Sequence, residues 1–146
     1  MGINGMQKTP NIISDLNMVE ENANEREAIL FHGTSEDPDD IRRHGLLCEL
    51  GRHNAVFLTD NPELALEYAL TDQERTGNTF QVLVSVNLKD LDECKLWPDV
   101  DHTYVDHWRD SLSDTDQCMY LGDIPPGAIM EIKDFSDPTN QLIRTP

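Results

Sequence analysis

Runs of apolar residues divide the chain into short strands separated by capped helices. In the clearest run, Phe80, Val82, Val84 and Val86 alternate with Gln81, Leu83, Ser85 and Asn87. This period of two predicts a strand over Phe80–Leu88 with one apolar face. Shorter apolar runs predict further strands at Ala28–Phe31, which ends at His32-Gly33, and at Ala55–Leu58, Gln117–Leu121 and Ala128–Phe135.

Capping residues predict two helices between these strands. Asp37-Pro38 is a cap followed by a proline at the first helical position, and Gly45 ends a helix of about two turns. Asn61-Pro62 begins a second helix, on which Leu64 and Tyr68 share the face that meets the sheet. Residues 101–116 are polar and predict a loop or a frayed helix. Short helices early and strands late predict an α+β fold with a largely antiparallel sheet.

Length and composition predict one domain preceded by an arm. The chain has 146 residues, and residues 1–25 are rich in Gly, Asn, Pro and acidic side chains. We therefore expect a flexible N-terminal arm at 1–25 and a single domain at 26–146. No apolar run reaches the length of a membrane span, and no secretory signal opens the chain, so we expect a cytoplasmic protein. The three cysteines lack metal-type spacing and are expected to be free thiols.

The net charge bears on which classes of macromolecule the protein can bind. There are 28 acidic against 11 basic residues, which gives a formal charge of −17. A surface of this sign repels phosphate polymers, so nucleic acid is an unlikely partner on electrostatic grounds. The same acidity would attract a basic protein, which leaves open a role as a nucleic-acid mimic.

Most local signatures of catalytic chemistry are missing from the sequence. The five histidines show no HxxxH pair, and there is no CxxC spacing, so we expect no metal. No phosphate-binding glycine loop and no GxSxG elbow occur. The remaining candidate is the His32-Gly33 turn at the end of the first predicted strand.

Several segments in order resemble a known family. LFHGTS is followed by a short helix ending in Gly45-Leu46, then by AVFLTDNPELALEYA, by a β-rich stretch and by DQCMYLGDIPPGAI. Together they resemble the ADP-ribosyltransferase superfamily, in the His-Tyr-Glu branch that includes diphtheria-toxin-like enzymes and the poly-ADP-ribose polymerases. The resemblance covers roughly residues 28 to 135. It implies a split antiparallel β-sheet with short flanking helices and with NAD in the cleft between its halves.

The resemblance also implies roles for individual residues. His32 would bond the adenosine ribose of NAD, and the backbone of Gly33 would hold the nicotinamide carboxamide, with Thr34 in the same cofactor-binding turn. Phe57 replaces the motif tyrosine, and Tyr68 is the second aromatic on the following helix. Two rings on either side of a cationic nicotinamide are physically sensible, because aromatic faces attract cations.

The resemblance is weakest at the catalytic position. Gln117 aligns with the motif glutamate, and a glutamine keeps a hydrogen bond but supplies no negative charge. Asp116 would take the acidic role if the strand register shifted by one residue. Ala65, also assigned to the cofactor site, stands where polymerase members carry a small hydroxyl. Affinity for NAD is therefore expected to be modest.

The function implied is mono-ADP-ribosylation of a macromolecular acceptor, with NAD as co-substrate. A protein acceptor is favoured over a nucleic acid because the chain is so acidic. Residues 98–116, with Tyr104, Trp108 and Arg109, are expected to guide the acceptor. Two alternatives stay open: a catalytically inactive acidic protein that binds or inhibits a basic partner on the same fold, and an NAD glycohydrolase.

Overall fold

The computed structural model describes residues 29–101 and 105–136. Within them, one antiparallel sheet has the strand order β4-β5-β2-β1-β3-β6. The strands are β1 (Ile29–Thr34), β2 (Val56–Thr59), β3 (Val82–Asn87), β4 (Leu96–Pro98), β5 (Gln117–Tyr120) and β6 (Ile129–Asp134), and the helices are α1 (Pro38–His44), α2 (Pro62–Thr76) and α3 (Trp108–Thr115). The predicted α+β class, an antiparallel sheet with short flanking helices, is confirmed. The predicted arm at 1–25 lies outside the described residues.

The sheet is split between β1 and β2. Strand β1 pairs with β3 along its whole length, from Ile29 opposite Asn87 to Thr34 opposite Val82. Its ladder with β2 is reduced to Phe31 opposite Thr59. The sheet therefore consists of a β1 half (β1, β3 and β6) and a β2 half (β2, β4 and β5), which diverge beyond this pair. The prediction that the first strand ends at His32-Gly33 is wrong, because the ladder to β3 continues through both residues.

Helix α2 packs directly against β1. Asn61 caps its start by accepting hydrogen bonds from the N–H groups of Glu63 and Leu64, and Gly77 ends it in the left-handed conformation with φ of 80°. The predicted capping residues are confirmed. The predicted apolar face is wrong: Ala65, Leu66 and Ala69 form the buried face of the helix, whereas Leu64 is half-buried and Tyr68 is exposed.

Strand β3 is buried on both faces, not one. Val82, Val84 and Val86 are completely buried in the main core. On the opposite face Leu83 packs with Ala65, Leu66 and Phe135 in a second cluster. The alternation predicted the main core face correctly. The alternation did not predict that the opposite face, with Leu83, is also buried. The helix that packs on this face lies elsewhere in the chain, so the pattern of the strand does not reveal it.

Helix α3 lies within residues 101–116, for which the sequence predicted a loop or a frayed helix. The Nδ1 of His107 accepts a hydrogen bond from the N–H of Arg109 at the start of α3, and Asp116 ends the helix in the left-handed conformation with φ of 65°. Trp108 is buried in the main core. In the described parts of the chain, no helix is both long and apolar enough to cross a bilayer. Cys48, Cys94 and Cys118 are free thiols, as predicted.

Candidate functional site

The split in the sheet opens into two adjoining cavities of about 480 and about 220 Å³. Both are lined by His32, Gly33, Gly51, Ala55, Asp72 and Arg75. The larger one also receives Phe57 from β2, Tyr68 from α2 and Gln117 from β5. Five of the eight residues assigned from the sequence therefore line one cavity, although they come from four separate elements.

His32 bridges the two halves of the sheet. Where the β1–β2 ladder stops, its ring Nδ1–H donates a hydrogen bond of 2.8 Å to the carbonyl oxygen of Phe57. Burial lowers the pKa of His32, although the Phe57 carbonyl and the Asp72 carboxylate act in the opposite direction. A neutral ring that donates from Nδ1 leaves Nε2 as a hydrogen-bond acceptor. His32 thus links the two halves of the sheet where their ladder stops, and its Nε2 is kept as an acceptor nitrogen.

Two aromatic rings line the larger cavity. Phe57 is half-buried, and the guanidinium carbon of Arg52 lies 5.1 Å from its ring centroid. A cation already rests against this ring, as expected for an aromatic face. Tyr68 is 36% exposed, and burial of its hydroxyl, followed by the nearby Asp99 charge, raises its pKa. The phenol is therefore protonated at neutral pH and able to donate a hydrogen bond.

Gln117 is a buried residue that lines the larger cavity and contacts a carboxylate. The residue lies opposite Thr59 in the β2–β5 ladder and is 4% exposed. Its side-chain Nε2 donates a hydrogen bond to Oδ2 of Asp99, which is completely buried. The Oγ of Ser111 donates to the backbone carbonyl of Gln117 at 2.6 Å and accepts from the N–H of Asp99 at 2.9 Å. One hydroxyl therefore ties both residues together.

The other three assigned residues lie outside this larger cavity. Thr34 lines the smaller cavity, and its Oγ1 accepts a hydrogen bond of 3.1 Å from the N–H of Glu36. Ala65 is completely buried between α2 and β1. Asp116 is exposed and ends α3 one residue before β5 begins. In the β2–β5 register it is Gln117 that pairs with Thr59, so Gln117 occupies the position facing the cavity.

Gly33 has a packing reason to be glycine. A Cβ built on this residue would lie 1.6 Å from the carbonyl oxygen of Ala65, well inside van der Waals contact. The glycine lets α2 approach β1 closely, whatever the residue does toward a ligand. This helix contact also carries Tyr68 to the rim of the cavity, since Tyr68 follows Ala65 by less than one turn.

Sequence reasoning missed the charged groups around the cleft. Arg52 and Arg75 both line the larger cavity. Arg75 contacts Asp72 at 2.5 Å, and Arg52 contacts Asp101 at 2.8 Å. Burial alone raises the pKa of Asp72, but hydrogen bonds from Ser35 and Arg75 outweigh it and lower that pKa overall. The cleft thus presents two guanidinium groups in a protein of net charge −17.

Asp99 was also missed, and the sequence contains no signal that separates it from the other acidic residues. Of the aromatic residues expected to guide an acceptor, Trp108 is buried in the core, which leaves it a packing role. Arg109 is exposed, with its guanidinium carbon 4.5 Å from the Trp108 ring. Tyr104 lies outside the described residues. Within residues 29–101 and 105–136, no group of three or more His, Cys, Asp or Glu side chains is arranged to hold a metal.

Comparison with known proteins adds information about the fold. No protein-family model matches the chain, and no curated protein matches it. Among the solved structures that do resemble it is a chain named EcPltA, with a TM-score of 0.50 and 13% sequence identity. The match covers 73% of this chain and 75% of that one. At such low identity the likeness shows a shared α+β fold alone, so a function has to be inferred from the cavity and its residues.

Proposed function

We propose that this chain binds NAD in the cleft and transfers ADP-ribose from it to a macromolecular acceptor, a protein in preference to a nucleic acid. The observation that carries the proposal is the convergence of His32, Phe57, Tyr68 and Gln117 on one cavity of about 480 Å³. They are the residues that the family resemblance assigns to NAD. Four elements distant in sequence bring them together across the split in the sheet.

The chemistry of the lining suits a dinucleotide. Ligand cavities in proteins typically have volumes of roughly 300–1,000 Å³. The combined volume of the two adjoining cavities lies within this range. Arg52 and Arg75 offer charge-assisted hydrogen bonds to a pyrophosphate. The Phe57 and Tyr68 rings offer faces to a pyridinium cation, and Nε2 of His32 accepts a hydrogen bond from a ribose hydroxyl.

The proposed transfer needs orientation and charge stabilisation from the protein. The bond between the ribose carbon and the nicotinamide nitrogen breaks, and its electron pair neutralises the pyridinium ring. Positive charge develops on the ribose until an acceptor nucleophile bonds to that carbon and releases its proton to solvent. The side chains around the cleft hold the reacting groups in register and exclude water, which are large terms in such reactions.

The charge of the protein favours a protein acceptor. A formal charge of −17 disfavours the approach of a polyphosphate backbone and favours a basic polypeptide. Lower salt should therefore increase the rate of transfer to a basic protein, since long-range attraction is screened by ions.

The experiment is to incubate the purified chain with NAD labelled in its adenylate part, together with a cell lysate. We expect label on protein that survives nuclease and is lost after protease. Release of free ADP-ribose alone would instead identify an NAD glycohydrolase. Absence of both products, together with absence of NAD binding in calorimetry, would leave the inactive acidic binding protein. The matched controls are Tyr68→Ala, which removes a lining ring, and Leu70→Ala, which removes an exposed side chain from the same helix.

A further inference from the structure

We propose that Asp99 is a positioning residue that acts through Gln117, supplying from behind the amide the negative charge that the Gln117 side chain itself lacks. This inference rests on the proposed transfer function. It concerns a pair that no feature of the sequence connects, since Asp99 precedes Gln117 by 18 residues.

The first support is the direct contact between the two side chains. Asp99 is completely buried, Gln117 is 4% exposed, and Nε2 of Gln117 donates to Oδ2 of Asp99. Gln117 lines the larger cavity, whereas Asp99 lies behind it. Because Nε2 is committed to Asp99, the amide oxygen is the atom of this side chain left to accept a hydrogen bond from a ligand.

The second support is the rigidity of the pair. Ser111 bonds the Asp99 N–H and the Gln117 carbonyl at the same time, at 2.9 and 2.6 Å. The N–H of Asp101 donates to Oδ1 of Asp99 at 3.0 Å. Each carboxylate oxygen therefore accepts a hydrogen bond within the protein. A group held in this way needs no reorganisation when charge develops beside it, which is the condition for electrostatic stabilisation.

The third support is that the field of Asp99 reaches the cavity. Asp99 is the second contribution, after burial, to the raised pKa of Tyr68, which lines the same cavity. It also contributes, after burial and Asp60, to raising the pKa of Cys118 to about 12. A donor bound to a carboxylate is polarised, so the Gln117 amide oxygen becomes a stronger acceptor. Positive charge on the ribose is thus stabilised directly by an amide dipole and indirectly by an anion.

Residue 99 has to supply two acceptors, and a carboxylate does so with two separate oxygens. Oδ2 accepts from Gln117 and Oδ1 accepts from the Asp101 N–H. An asparagine has a single side-chain oxygen and would place its NH2 group against one of these two donors. The carboxylate therefore fixes the Gln117 amide with its nitrogen toward residue 99, and it adds a negative charge at that place.

The decisive variant is Asp99→Asn, with Asp90→Asn as a control that removes the same charge from an exposed position outside residues 98–116 and outside the cavity lining. We expect Asp99→Asn to lower kcat for transfer by about 10- to 100-fold, somewhat less than the loss typical of a direct contact to the reacting group. KM for NAD should change by less than about twofold, because the interaction strengthens only as charge develops. Asp90→Asn should leave both constants unchanged.

The double variant Asp99→Asn with Gln117→Glu exchanges the amide and the carboxylate. It keeps the hydrogen bond and the net charge but places the charge on the cavity wall. We expect kcat at or above that of the unmodified chain. If Asp99→Asn alone does not fold, this double variant carries the test, and a kcat below one tenth of the unmodified value, on the order of a single lost interaction, would overturn the inference.

A titration separates this inference from the proposed function. Removing the Asp99 charge should lower the pKa of the Tyr68 phenol relative to the unmodified chain, measured by ultraviolet titration against Tyr68→Phe. Transfer activity that Asp99→Asn leaves unchanged, or an unshifted Tyr68 titration, would overturn the role of Asp99 while the transferase assignment stands. Absence of transfer by the unmodified chain would overturn the transferase assignment and this inference with it.

Discussion

The two halves of the sheet share one apolar core and differ in the polar groups that they bury. The β1 half is a well-paired ladder whose central strand buries Val82, Val84 and Val86 completely. The β2 half has shorter strands, whose buried apolar side chains belong to the same core. It also encloses a polar network of Asp99, Ser111 and Gln117, in which hydrogen bonds between buried groups add to the apolar packing.

This difference indicates in which half of the sheet substitutions should affect activity. A buried polar network contributes only if every member is satisfied, so it is an expensive way to build a core. Such networks are expected where the protein must direct a charge or a hydrogen bond at a bound ligand. Substitutions in the β1 half should therefore act on stability, except at the cavity-lining His32 and Gly33, where an effect on activity is also expected. Substitutions in the polar network of the β2 half should change both stability and activity.

The largest expected effect is in the β1 half. Gly33→Ala would place a Cβ 1.6 Å from the Ala65 carbonyl oxygen, which forces α2 away from β1. We expect a loss of about 3 kcal/mol or more in the free energy of unfolding, at or above the upper end for overpacking. Urea denaturation measures it. Gly127→Ala is the control, because no atom lies within 4 Å of the added Cβ. Equal midpoints for the two variants would contradict the packing role of Gly33.

The next effect tests the network of the β2 half. Ser111→Ala removes the hydroxyl that joins Asp99 to Gln117 and leaves the buried Asp99 N–H without that acceptor. Loss of such a partner costs about 1–3 kcal/mol. We also expect reduced transfer activity at temperatures where the variant is folded. Ser113→Ala on the exposed face of α3 should change stability by less than about 0.5 kcal/mol. A stable Ser111→Ala variant with full activity would remove the distinction between the halves.

A smaller effect is expected at the boundary between the halves, where α2 carries Tyr68 over the cavity. Tyr68→Ala should weaken NAD binding by about 0.5–2 kcal/mol, or roughly 2- to 30-fold in Kd. Tyr68→Phe should keep most of the affinity because the ring face remains. Calorimetric titration measures both against Leu70→Ala. Identical Kd values for Tyr68→Ala and Leu70→Ala would exclude stacking on this ring.

The smallest effect concerns the hydrogen bond that spans the split. Burial lowers the pKa of His32 in the folded chain, so near its ordinary value of 6.5 the unfolded chain binds the proton first. Stability therefore falls as pH drops from 6.5 toward the lowered pKa, with a slope of at most about 1.4 kcal/mol per pH unit for one proton. Urea denaturation at several pH values between 7.5 and 5 checks this. His32→Gln should flatten this contribution, and an unchanged slope would show that His32 is not its source.

The local elements were largely readable from the sequence. Asp37 and Asn61 cap helices where their side chains predict, and Gly45 ends α1 as expected. These signals work because capping involves residues only two or three positions apart. The positions of β1, β2, β3, β5 and β6 followed from apolar runs for the same reason, whereas the short strand β4 was not predicted. For residues 101–116 the sequence left a loop and a frayed helix open, because the segment is mostly polar. Trp108 and Leu112, one turn apart on α3, pack into the main core.

The candidate site was only partly readable. His32, Phe57, Tyr68 and Gln117 were assigned from the family resemblance, and the structure brings all four to one cavity. Arg75 and Asp72 were not predicted as site residues, because nothing in the sequence around them indicates that these helix positions line a cavity. Asp99 was not found for the same reason: among the acidic residues that the structure describes, it is set apart by its complete burial.

The caps, five of the six strands in the described residues and the acidity of this protein follow from its sequence, since they depend on neighbouring residues or on simple sums. The fold as a whole was needed to show that β1 and β2 separate beyond Phe31 and Thr59, and that His32 bridges the gap to the Phe57 carbonyl. It also decided that a buried carboxylate stands behind Gln117. Such pairings join residues far apart in the chain, and the stability or charge of each group depends on what the fold places around it.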